Sequence, residues 1–151
     1  DAYKKLQDCL MMFYTGASRS ASEVLIDQKK NIVSDKEKFN AQLMMTQMVE
    51  ESKDCLVKSN LDQFGKNLHS NWILKRTLSK TISNSVFDDI YDLAKKSGAI
   101  GGKILGAGGG GFFLFYCPPR YQEKLRLNLK DLKEVSFKFD KYGSKIINMD
   151  K

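Results

Sequence analysis

The chain has 151 residues, 42% hydrophobic and 11% aromatic, enough for one compact domain with a real core and incompatible with a disordered segment. No run of ~18 apolar residues occurs, so no membrane-spanning helix is expected. The net charge of +7 arises from 25 Lys and Arg against 18 Asp and Glu, but acids and bases interleave, as in Asp35-Lys36-Glu37-Lys38, which favours a solvated surface over a nucleic-acid-binding one.

In chain order, Cys9 to Tyr14 (CLMMFY) is a short apolar run ending at Thr15-Gly16, the pattern of a buried strand entering a turn. Ser20-Ala21-Ser22-Glu23 has the form of a capping box and predicts a helix carrying Ala21, Val24, Leu25 and Gln28 on one side. A second box, Ser34 to Glu37, predicts a longer helix with an inner stripe of Ala41, Met44, Met45, Met48, Val49, Cys55 and Leu56. Asn60 is placed to cap a third helix through Leu61, Phe64, Leu68, Trp72 and Leu78. A fourth spans about 85–96, with Phe87, Ile90, Tyr91 and Ala94 inward and Gly98 as its stop.

The texture then changes. Residues 100–111 are almost all small and read as a loop, and Phe112 to Cys117 (FFLFYC) reads as a second buried strand. Pro118-Pro119 ends that strand and starts a short helix through Leu125, Leu129 and Leu132. Val135, Phe137 and Phe139 alternate with polar residues as in a half-buried strand. Asp140 to Gly143 is a turn, and Ser144 to Met149 is expected to return as the partner strand. The fold class is therefore α+β: a small, mostly antiparallel sheet with helices packed on one face.

Cys9, Cys55 and Cys117 are odd in number and far apart, so they point to buried thiols in a reducing, cytoplasmic setting rather than a disulfide framework or zinc site. His69, the only histidine, has no second ligand or carboxylate at helical spacing and reads as a packed side chain. No metal-ligand or catalytic constellation is apparent.

Gly101 to Gly111 holds seven glycines in eleven residues, between a helix end and an apolar strand. Glycine at this density is entropically costly and belongs where backbone must bend or approach something closely. Consecutive bare amides also form a concave donor surface for anions. The order differs from a Walker A loop, which requires GxxxxGK[ST], and from a dinucleotide fingerprint, which follows a strand.

With these residues in view, KILGAGGGGFFLFYCPP resembles the third motif of the GHMP kinases. LMMFYTGASRSASEVLIDQ, HSNWILKRTLSKTIS and VSFKFDKYGSKII resemble the branch acting on D-glycero-D-manno-heptose 7-phosphate, with fucokinase-like members nearby. The resemblance covers about 8–147. It implies a ferredoxin-like C-terminal domain of an ATP- and Mg2+-dependent kinase, transferring the γ-phosphoryl group to a sugar-phosphate hydroxyl; the alternatives are a kinase for fucose, galactose or a mevalonate-type alcohol, or a non-catalytic ligand-binding α+β module. The PxxxGLGSS-type phosphate loop of such kinases does not occur in this sequence. ATP, Mg2+ and the acid that activates the hydroxyl are therefore expected mainly on the enzyme's own N-terminal domain, and the chain, which opens on Asp1, is expected to be a piece that is inactive alone.

Within this chain the resemblance places Gly106, Gly108, Gly109, Gly110 and Gly111 near the phosphates. Thr15, Arg19 and Lys103 are the candidates for the sugar phosphate, with Lys75 a further candidate for the same cleft. Ser20 is assigned to helix capping and Trp72 to the core. A homodimer is compatible with this reading, and neither nucleic acid nor membrane is an expected partner.

Overall fold

A computed structural model of the chain describes residues 2–140 and 142–144. In it a helix α1 (Ala2–Cys9) leads into β1 (Leu10–Tyr14). Four helices follow, α2 (Ala21–Ser34), α3 (Lys36–Val57), α4 (Leu61–Leu78) and α5 (Ser85–Lys96). A hairpin of β2 (Gly101–Ile104) and β3 (Phe112–Tyr116), then α6 (Pro119–Asn128) and β4 (Lys133–Val135), complete the described elements.

The sheet order is β2-β3-β1-β4, and each adjacent pair is antiparallel. This is the split β-α-β order of a ferredoxin-like sheet, with α2 to α5 in the first crossover and α6 in the second. The α+β expectation is met.

Alternation along the strands sorts the two faces. Met11 and Phe13 of β1, Phe113 and Phe115 of β3, and Ile104 of β2 are buried in one cluster with Val24, Trp72, Phe87, Tyr91 and Leu125 from the helices and Leu129 just after α6. Phe113 and Phe115 stack at 5.1 Å, and Trp72 meets Phe113 edge-on at 6.1 Å. Leu10, Met12, Tyr14, Phe112 and Leu114 point to the other face and are half-buried. A smaller cluster of Cys9, Leu61 and Tyr116 joins α1 and α4 to the sheet end.

Several sequence expectations are corrected. The segment read as loop from residue 100 contains β2, because Gly101 and Gly102 allow the strand to lie against its neighbours. A Cβ on Gly101 would stand 1.9 Å from the Gly65 carbonyl oxygen of α4. The last described strand stops at Val135, and Phe137 and Phe139 lie outside it. There the Gln7 side chain replaces a strand partner, donating to the Phe137 carbonyl (3.2 Å) and accepting from the Phe139 amide (2.8 Å). Of the expected returning strand, residues 145–149 lie outside the described residues.

The inner stripe of α3 is narrower than its pattern suggested. Ala41 and Cys55 are buried, while Met44, Val49 and Leu56 are exposed, and on α2 Leu25 is exposed beside buried Val24. These two helices touch the domain along a seam and leave broad outer faces. Neither capping box forms as written. Asp35, not Ser34, caps α3 by accepting from the Glu37 and Lys38 amides, and Ser34 instead donates back to the Lys30 carbonyl at 3.0 Å. Ser20 holds the cap position of α2 without a side-chain bond, as does Asn60 before α4.

Candidate functional site

The hairpin loop between β2 and β3 is held first by main-chain hydrogen bonds. Leu105 N–H bonds Phe112 O at 2.8 Å and closes the hairpin. Gly111 N–H donates to Ala17 O, and Gly109 N–H to Ile82 O, both at 2.8 Å. The loop is thus clamped between the segment leaving β1 and the connection from α4 to α5. Gly106, Gly108, Gly109, Gly110 and Gly111 all have φ between 69° and 148°, the region where a side chain is strained.

Close approach adds a second constraint. A Cβ on Gly110 would lie 2.7 Å from Ala17 O, and one on Gly109 would lie 2.8 Å from Thr81 O. At Gly106 and Gly111 a Cβ would meet nothing within 4 Å, so one wall of the loop is open there.

The structure brings two of the three substrate candidates to this loop. Thr15 N–H and Oγ1 both donate to Gly111 O, at 2.9 and 3.0 Å, and Oγ1 also lies 3.1 Å from Ala17 O. This hydroxyl is occupied in shaping the loop. Arg19 is exposed, and its aliphatic stem lies over Gly109, with Cδ 3.2 Å from a Cβ built there. Its guanidinium is therefore carried on the loop's flank. Lys103 sits on β2, where its Nζ donates to Asn71 Oδ1 at 3.3 Å, and it borders an α3–α4 groove of about 340 Å³ lined by Met48, Val49, Phe64 and Leu68.

Lys75 on α4 is buried, with 7% of its surface exposed, and its Nζ donates to Gly106 O. Burial, reinforced by the nearby charge of Lys103, pulls its pKa down to about 8. Burial also lowers that of Lys103. Lys75 thus reaches the first glycine of the loop from α4, while Lys103 stands beside Asn71 at the α3–α4 groove.

A polar network that the sequence reading missed fixes the other wall. Ser79 Oγ, buried, donates to Asp27 Oδ2, lies 2.7 Å from Thr81 Oγ1 and accepts from Thr81 N–H at 3.0 Å. Asn31 Nδ2 reaches Leu78 O at 3.0 Å. Together they pin the 79–82 turn whose Ile82 and Thr81 carbonyls face the loop glycines. The hydroxyl-rich string Ser79-Lys80-Thr81 was the available signal, while Asp27, 52 residues away, offered none.

Chemically, the arrangement offers amide donors and cations to an anion. The Gly109 and Gly111 amides are already committed, so Gly106, Gly108 and Gly110 are the glycines whose N–H groups have no acceptor among the described residues. Among the described residues no group of three or more His, Cys, Asp or Glu is placed to hold a metal ion. His69 accepts or donates at 2.8 Å to Tyr91 Oη, with the rings stacked at 5.8 Å, and belongs to the packing between α4 and α5.

Residues 52–143 match the family described as GHMP kinases C terminal. The chain is 28% identical over 146 residues to the D-glycero-alpha-D-manno-heptose 7-phosphate kinase of Campylobacter jejuni, covering 93% of this chain and 42% of that protein. It is 31% identical over 121 residues to the mevalonate kinase of Thermococcus onnurineus, covering 76% and 35%. The crystal structure of L. major mevalonate kinase in complex with R-mevalonate superposes with a TM-score of 0.74 at 22% identity, covering 83% of this chain and 40% of that one. The chain therefore spans less than half the length of these relatives. Family match and sheet topology agree, and the chain belongs to the GHMP kinases as a C-terminal domain.

Proposed function

We propose that this chain is the C-terminal part of an ATP-dependent sugar kinase that transfers the γ-phosphoryl group to a hydroxyl of D-glycero-D-manno-heptose 7-phosphate. The observation that carries the reading is the glycine loop, clamped by Ala17 and Ile82 and flanked by Arg19. Similarity over 93% of the chain to a heptose 7-phosphate kinase supports the acceptor. The reading places the enzyme in the cytoplasm, in supply of activated heptose for surface polysaccharide. Its ligands are ATP, Mg2+ and the sugar phosphate, and its main partner is its own N-terminal domain.

Phosphoryl transfer is largely positioning and neutralisation of charge on the transferring group. The free amides of Gly106, Gly108 and Gly110 supply fixed donors that need no reorganisation as charge moves. Arg19 supplies a planar cationic fork for the acceptor's phosphate. Thr15 acts through Gly111 and is a positioning residue. Mg2+ would neutralise charge on the nucleotide phosphates, held by residues of the N-terminal domain.

A second reading keeps the chemistry and changes the acceptor to a mevalonate-type alcohol, favoured by the 31% identity to an archaeal mevalonate kinase. One assay separates them. The complete kinase, offered a panel of sugar phosphates, free sugars and mevalonate, is expected to release ADP fastest with the heptose 7-phosphate. Arg19→Ala is then expected to raise KM for the sugar phosphate at least tenfold and leave KM for ATP within about twofold. Equal effects on both substrates would sink the Arg19 assignment, and preference for mevalonate would sink the acceptor.

A further inference from the structure

The two clamps of the glycine loop come from distant parts of the chain. Ala17 O accepts from Gly111 N–H just before α2 begins, and Ile82 O accepts from Gly109 N–H just after α4 ends. Helix α2 joins them. Val24, Asp27 and Asn31 recur at spacings of three and four residues and so share one face of that helix. Val24 is buried, with Cγ2 3.4 Å from a Cβ built on Gly109. Asp27 accepts from Ser79 Oγ, and Asn31 Nδ2 reaches both Leu78 O at 3.0 Å and Asp27 Oδ2 at 3.4 Å. The same helix thus touches the loop and holds the turn that clamps it.

Asp27 stands in an unfavourable place for a carboxylate. It meets the C-terminal end of α4, where the helix dipole disfavours an anion, and it forms no ion pair among the described residues. What the carboxylate supplies is direction. It only accepts, so the single proton of Ser79 Oγ goes to Asp27. Ser79 Oγ is then left to accept from Thr81, whose amide lies at 3.0 Å and whose hydroxyl lies at 2.7 Å. Both Thr81 donors point back toward Ser79 and α2, while the Thr81 and Ile82 carbonyls face Gly109.

We infer that Asp27 is a positioning residue for the glycine loop, acting through Ser79 to lock the Ala17 and Ile82 clamps into one bracket with α2 as its strut. It acts at one remove, since the Ser79 hydroxyl lies between it and the turn. The bracket fixes the span from Gly109 to Gly111, because each is tied to a different end of it. A misplacement of about 1 Å, even one caused far from the chemistry, can cost ~100-fold in rate. That this span matters for phosphoryl transfer rests on the function proposed above, but the bracket itself rests on the hydrogen bonds of this chain.

The test measures amide exchange and turnover of the complete kinase in Asp27→Ala, Ser79→Ala, the double variant and Asp27→Asn. In Asp27→Ala the Gly109 amide is expected to exchange at least about tenfold faster, with the amides of β1 and β3 unchanged. kcat should fall about tenfold to 100-fold while KM for ATP stays within about twofold. Ser79→Ala should reproduce both effects, and the double variant should add nothing to either single one, because the two residues act in series. Asp27→Asn keeps an oxygen that accepts from Ser79 and should restore most of the loss. Unchanged exchange at Gly109, strictly additive single variants, or exchange that quickens equally throughout the sheet would overturn the bracket. Faster exchange at Gly109 with unaltered turnover upholds the bracket and counts against the kinase reading of the loop.

Discussion

The two parts of the β2–β3 hairpin are built on opposite principles. Strand β3 is fixed by what its side chains fill: Phe113 and Phe115 are fully buried against helices α4 and α5. The loop before it is fixed by what its residues lack, since Gly109 and Gly110 bring their backbone to within contact of the Thr81 and Ala17 carbonyls. A packed strand tolerates apolar exchange, whereas a backbone-on-backbone loop tolerates none. The difference places rigidity beside an open anion-facing wall without consuming that wall for packing.

Removing a side chain from the strand should have the largest effect. Phe113→Ala empties a site shared by Trp72, Phe87, Tyr91 and Phe115, and should cost about 4 kcal/mol in urea unfolding. Phe113→Leu should cost less than half as much. Similar losses for both would mean that the position is set by something other than filled volume.

Adding a side chain to the loop comes next and separates crowding from backbone strain. Gly110→Ala meets Ala17 O and an unfavourable φ of 148°, and should cost about 3 kcal/mol. Gly111→Ala has open space and a φ of 90°, so strain alone should cost about 1–2 kcal/mol. Equal costs would show that the Ala17 contact does not hold the loop.

Lys75 sharpens the comparison from the other direction, because it is a buried charge placed where an apolar side chain would pack. Its folded pKa of about 8 lies below the ordinary value of 10.5, so between those pH values the unfolded chain binds more protons and stability rises with pH. Below pH 8 the full penalty is present. Lys75→Met should therefore stabilise the chain at pH 7 by about 2 kcal/mol, less than the ~3 kcal/mol the full shift carries, because Gly106 O loses its donor. The gap should close as pH approaches 10.5. A gap that does not change with pH would mean that Lys75 is solvated.

The sequence reveals the sheet better than the site. Short, continuous apolar runs bounded by turn signals expose β1 and β3, but because every residue in them is apolar the sequence does not say which face is buried. It hides β2, since Gly101 and Gly102 carry no hydrophobic signal: a Cβ on Gly101 would run into α4 at Gly65 O, and one on Gly102 into Phe115 and Leu114 O of β3. Glycine density marks the loop but not its clamps. Asp27, Ser79 and Thr81 meet through contacts spanning 52 residues, and Lys75 looks like any helical lysine until Gly106 is placed against it. Such partners are products of tertiary packing.

Helix capping shows the same limit at the smallest energetic scale. Ser20 and Ser34 both fit the capping-box spacing, yet the bonds are made by Asp35, whose Oδ1 lies 2.9 Å from the Glu37 amide and 3.3 Å from that of Lys38. The reason is positional. Ser34 is the last residue of α2, where its hydroxyl is satisfied by the Lys30 carbonyl, and the extended backbone needed for a cap falls on Asp35, with φ −133° and ψ 113°. Asp35→Ala should thus cost about 1 kcal/mol, because it leaves two first-turn amides without their acceptor and removes a carboxylate from the positive end of α3. Ser20→Ala and Ser34→Ala should each stay within about 0.5 kcal/mol of the parent chain. Thermal unfolding of the three variants at pH 7 decides the matter, and a cost for Ser34→Ala equal to that of Asp35→Ala would return the cap to the residue the sequence pattern favours.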